Sequence, residues 1–162
     1  MKKLLLVAVL ILTVSAMSFG QVTASQTANA NLTVNAGISL TVTGGVVFGT
    51  VVQGQGSVVN AATAAVANVA AFTTAAAPST AMTVTYSNTT LANGANTLTW
   101  TPSLVGTNNA ANRATAPVIS TGGSATTSAT GNFYFWLGGT VSTVTATPSG
   151  TYSGTFTLTV AY

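Results

Sequence analysis

The chain of 162 residues contains no cysteine, no histidine, no aspartate and no glutamate, and its only basic side chains are Lys2, Lys3 and Arg113. Each absence removes a class of chemistry. Without cysteine there is no disulfide and no thiol nucleophile. General acid–base catalysis relies on side chains that titrate near working pH, chiefly His, Glu and Asp. Metal centres draw on those same residues together with cysteine. Serine and threonine are abundant, but no His or carboxylate stands ready to activate them. The composition therefore reads as that of a non-enzyme with no cofactor and no metal.

Lys2 and Lys3 precede an unbroken apolar run from Leu4 to Leu12, and Thr13 to Gly20 supply small residues. Ser18 and Gly20 fit the minus-three and minus-one positions of a cleavage site, so residues 1–20 read as an export signal. The apolar run is short for a membrane span of about 20 residues. No cysteine follows it to carry a lipid, and no stable membrane insertion is expected. Removing the signal takes both lysines, and 3 − 2 leaves Arg113 as the sole charged side chain. One arginine is not the basic stripe that nucleic-acid binding requires. A surface of Thr, Ser, Asn, Gln and Gly without charge repulsion suits a molecule that associates with its own kind.

What the chain has in quantity is alternation. Val22, Ala24, Ala28, Ala30, Leu32, Val34, Ala36, Ile38, Leu40 and Val42 hold the even positions, and only Gln26 interrupts them. Every odd position from Thr23 to Thr43 is polar or Gly. Period two means extended chain with one buried face. Residues 22–42 fully extended would reach roughly 70 Å, whereas a strand is usually about 17–20 Å long. One small domain does not cover so long a strand. The organisation expected is a signal over 1–20, an N-terminal extension over 21–36 and a β-domain over 37–162. Val22, Ala24, Ala28, Ala30, Leu32 and Val34 would enter another molecule's core, and residues 38–42 the chain's own.

Further on, Gly44-Gly45 predicts a turn, and Val46, Phe48 and Val51 the opening of a second strand pair. The Ala-rich stretch 61–77 favours helix by propensity, but Thr73-Thr74 and the β context predict a strand over Val66–Thr74. Met82, Val84 and Tyr86 alternate, as do Leu98 and Trp100, with the hairpin signal Asn93-Gly94 between them. Residues 106–130 read as a long loop with one short strand near Val118. Gly131 to Leu137 is an aromatic strand, and Gly138-Gly139 predicts a turn into Val141–Ala146. Pro148-Ser149-Gly150 then turns into the last strand. There Tyr152, Phe156, Leu158, Val160 and Tyr162 share a face, with Thr155, Thr157 and Thr159 opposite. A strand of this kind at a sheet edge, beside an apolar groove, accepts an added strand.

Val47-Phe48-Gly49-Thr50-Val51, the stretch Phe133 to Gly139, and Gly150-Thr151-Tyr152-Ser153-Gly154-Thr155-Phe156 running to Tyr162 resemble a bacterial secreted family of uncharacterised function. Its members are similar to fimbrial subunits and to the spore-coat-U-like subunits of archaic chaperone–usher pili. The resemblance implies an all-β fold, an incomplete immunoglobulin-like sandwich completed by a donor strand from a neighbouring subunit. It implies a structural subunit of an extracellular pilus, exported through the periplasm and polymerised head-to-tail. A periplasmic chaperone and an outer-membrane usher would be its partners beside its own copies. By position, Val22–Val34 would be the donor strand, and Tyr152, Phe156, Leu158, Val160 and Tyr162 the acceptor edge. The cysteine pair of many pilus subunits is missing. Three other readings compete: a small outer-membrane β-barrel, a secreted glycan-binding module using Trp100, Tyr134 and Trp136, and a cross-β fibre. Arg113 reads as a solvated loop residue.

Overall fold

Alternating apolar and hydroxyl side chains carry this chain into strands, and the computed structural model describes residues 37–162 apart from Asn88 and Val144. The export signal over 1–20 and the extension with Val22, Ala24, Ala28, Ala30, Leu32 and Val34 lie outside the described residues. The fold is all-β. Its strands are β1 (Ser39–Thr43), β2 (Gly56–Val59), β3 (Ala70–Ala75), β4 (Ala81–Tyr86), β5 (Thr89–Asn93), β6 (Asn96–Thr107), β7 (Gly123–Thr126), β8 (Asn132–Ser142) and β9 (Leu158–Ala161). They form two open antiparallel sheets. The larger has the order β1-β3-β8-β6-β5 with β2 also on β8, and the smaller has the order β7-β4-β9.

The main core lies where the inner faces meet. Phe72, Trp100, Leu104, Phe133, Phe135 and Leu137 come from the larger sheet, and Met82, Val84, Ala125 and Leu158 from the smaller. Removing such side chains from water stabilises the fold by about 1.5–3 kcal/mol apiece. Strand alternation sends Tyr134 and Trp136 to the other face of β8. There Trp136 joins Val59, Ala61, Val69 and Val105 in a second cluster. Arg113 secures it. Its Nε donates to the Ala61 carbonyl at 2.9 Å and its Nη2 to the Ala64 carbonyl at 2.8 Å. The side chain is half-buried, and desolvation lowers its pKa from the ordinary arginine value. Arg113 is thus a strap and not a solvated residue, because the carbonyls of the 60–64 turn outcompete water for it.

Several local expectations are corrected. Gly138-Gly139 does not turn: β8 runs straight through it, leaving β3 at Leu137 and picking up β2 at Gly139. A Cβ on Gly138 would strike the Val59 carbonyl, and one on Gly139 the Trp100 indole, so both glycines permit close approach. The strand expected from Val66 begins at Ala70. Val66–Asn68 is a 3-10 turn, and the Asn60 side chain accepts from the amides of Ala62 and Thr63 to wind the chain before it. Val46, Phe48 and Val51 join no strand. Their segment is held by single bonds, Val47 N–H to the Asn68 carbonyl and the Ser57 hydroxyl to the Phe48 carbonyl. Val118 makes only one bridge, with Val105, and β7 follows it. Asn93-Gly94 does make a hairpin, between β5 and β6, with Gly94 at φ +60. Val42 remains 60% exposed, next to where Gly44 at φ +74 bends the chain away.

Candidate interaction groove

The segment 152–162 repeats its period without a break, yet only Leu158–Ala161 is strand. Ser153 and Ala92 exchange two backbone hydrogen bonds of 2.7 and 3.0 Å, which pins the start of the segment to β5 of the larger sheet. Gly154 then passes so close to β5 that a Cβ would strike the Thr90 carbonyl. By Leu158 the chain is paired with β4 of the smaller sheet. The expected single strand is therefore a crossover between sheets. Two anchors on different sheets prevent one flat ladder.

This crossover distributes the expected acceptor residues. Phe156 sits at the middle of an aromatic nucleus, with ring centroids 5.4 Å from Tyr86, 5.8 Å from Trp100 and 6.3 Å from Phe72. Leu158 is buried in the main core, and Val160 packs against it half-buried. Tyr152 lies at one end, its Oη donating to the Pro148 carbonyl at 3.0 Å. Tyr162 lies at the other, 53% exposed, its Oη accepting from the Ala77 amide at 2.7 Å. The structure thus brings Phe156, Leu158 and Val160 together and places the two tyrosines as end markers.

Strand β9 pairs with β4 on one side, and among the described residues no strand pairs with the other. One edge of the larger sheet is β1, whose Leu40, with Ile38 just before the strand, lodges half-buried against the same core. At the Tyr152 end lies a cleft of roughly 630 Å³. The extended segments 46–51 and 149–154 form its walls, and Leu91, Leu98 and Val141 contribute lining. No charged side chain lines it, so its polar contacts are backbone groups and hydroxyls. Phe48, on one wall, meets Trp100 edge-on at 5.9 Å. Among the described residues, the buried polar atoms Thr74 Oγ1 and Trp100 Nε1 have no hydrogen-bond partner.

Phe48 and Leu91 line the cleft and are not assigned to the site by sequence. The alternation around Phe48 signals a strand and not a cleft wall, and Leu91 carries no signal. The three rings considered as a glycan platform do not assemble. Trp100 is in the main core, whereas Tyr134 and Trp136 stack on the opposite face at 6.4 Å and 23°. Among known proteins, the sequence profile of a family described as Domain of unknown function (DUF4402) matches residues 10–162. No curated protein matches the chain.

Proposed function

We propose that this chain, which belongs to the family Domain of unknown function (DUF4402), is the repeating structural subunit of an extracellular filament on the cell surface. In this reading the two sheets are an incomplete immunoglobulin-like sandwich, and the arm 21–36 of one copy completes the next by adding a strand along β9. The observation that carries it is the side of β9 left unpaired among the described residues, together with the cleft at the Tyr152 end of the same segment, whose described lining carries no charge. The arm offers a matching row of small apolar side chains, Val22, Ala24, Ala28, Ala30, Leu32 and Val34, alternating with polar ones. Edge addition supplies backbone hydrogen bonds, and the buried row supplies specificity. Because donor and acceptor surfaces differ, the contact is head-to-tail and propagates as an open chain.

The subunit crosses the periplasm after its signal is removed. An open edge of this kind aggregates when left bare, which gives a periplasmic chaperone and an outer-membrane usher their role as partners. The subunit works by assembly and carries out no catalysis. Two open sheets around a filled core favour this reading over a membrane barrel, which closes on itself around a polar lumen. The test is electron microscopy of the exported protein with and without residues 21–35. The full chain gives filaments of globular beads and the shortened chain gives none. Filaments of the shortened chain refute the proposal, and a 4.7–4.8 Å cross-β repeat would replace it with stacked fibres.

A further inference from the structure

Asn93 is the one asparagine of the chain that a glycine follows. It closes β5, paired in register with Asn96, and Gly94 and Ala95 make the tip between them. Gly94, at φ +60, holds the first place of a two-residue hairpin loop, where such loops favour glycine. The tip is open to solvent. Gly94 and Ala95 are exposed, and nothing lies within 4 Å of where a Cβ on Gly94 would be. Strand β5 is an outer strand of the larger sheet, and hairpin ends of this kind open locally at little cost.

The Asn93 side chain itself is half-buried. Its Nδ2 lies where a Cβ on Gly150 would be, and Gly150 belongs to the wall of the cleft. The preceding residue, Ala92, exchanges with Ser153 the two backbone hydrogen bonds that anchor that wall to β5. One amide thus sits between an exposed glycine and the segment 149–154. Arg113 is the only charged side chain between residues 37 and 162. A carboxylate at Asn93 would be the first negative side chain in that span.

We propose that Asn93 is a self-modification site, where the chain converts its own amide to a carboxylate against the cleft wall. The Gly94 backbone nitrogen gives up its proton and bonds to the Asn93 Cγ. The Cγ–Nδ2 bond breaks, and the amide leaves with that proton as ammonia. Water then opens the five-membered imide at either carbonyl, giving aspartate or a backbone-lengthened isoaspartate. No atom changes oxidation state, and water is the only co-reactant. Glycine obstructs the ring least, because no Cβ stands beside the attacking nitrogen. Gln53-Gly54 and Gln55-Gly56 would need a six-membered ring, which closes more slowly. Aspartate brings negative charge against Gly150, and isoaspartate also adds a methylene to the backbone beside the Ala92–Ser153 anchor. The reaction needs no second copy and stands apart from the filament reading.

The test holds the folded, full-length protein at mildly alkaline pH. An acidic form accumulates, ammonia is released in equal amount, and fragment mass spectrometry places the new carboxyl at residue 93. Asn93→Ser abolishes the acidic form. An acidic form that maps to another residue, or that persists in Asn93→Ser, overturns the site. So does a folded protein that stays unchanged over the time in which the same chain in urea is converted, because the hairpin then protects the amide. The link to the cleft has its own readout. In the isolated isoaspartyl form, hydrogen exchange at the Ala92 and Ser153 amides is about fivefold faster than in unconverted protein, the worth of one hydrogen bond. Equal exchange in the two forms overturns that link.

Discussion

The outer face of β8 and the free side of β9 both border apolar residues, and the chain treats them differently. Over β8, Trp136 and Val105 are covered by the chain's own Ala61, Ala62, Ala64 and Val69, and Arg113 ties that cover down. Beside β9, the described residues provide no covering strand, and a cleft lies at the Tyr152 end of its segment. Among the described residues, the chain therefore covers the first apolar surface and leaves the second strand edge unpaired. That contrast motivates reading the second place as one that another molecule closes.

The largest effect is expected where the contrast is attacked directly. Leu32→Asn together with Val34→Asn places two amides in the uncharged cleft and abolishes filaments in electron micrographs, whereas Thr33→Asn leaves them normal. Next in size is the closed surface. Trp136→Ala empties the centre of the outer cluster and lowers stability by about 3–5 kcal/mol, measured by urea unfolding, while filaments formed below the transition keep their morphology. Arg113→Gln removes two charge-assisted hydrogen bonds from the strap, for a loss of about 1–3 kcal/mol in the same assay. The smallest effect is an expected constancy. With no Asp, Glu or His in the chain, the urea midpoint is flat from pH 5 to pH 7. Burial lowers the Arg113 pKa in the folded state, so the folded form loses that proton first and stability rises with pH. That rise is confined to the strongly alkaline range where arginine titrates, far above the pH window measured.

Local pattern made much of the fold legible. Met82, Val84 and Tyr86 lie in β4, the Asn93-Gly94 hairpin stands, and the aromatic run lies in β8. Each of these depends on neighbours in sequence. What was hidden depends on distant contacts. Gly138-Gly139 looks like a turn until Val59 and Trp100 are seen pressing on it. The crossover at 152–158 keeps perfect alternation, so nothing local reveals that its anchors lie on different sheets. Within the candidate site, Phe156, Leu158 and Val160 could be read from periodicity. Phe48 gains its place on the cleft wall only from distant contacts with Ser57 and Trp100.

The Arg113 strap has one more consequence. It is the only lysine or arginine between residues 37 and 162, so a protease that cuts after basic residues finds a single peptide bond to attack there. Such an enzyme must draw the guanidinium into its own specificity pocket, and here that group already grips Ala61 and Ala64. Digestion at that bond then waits on local opening of the 60–69 cover.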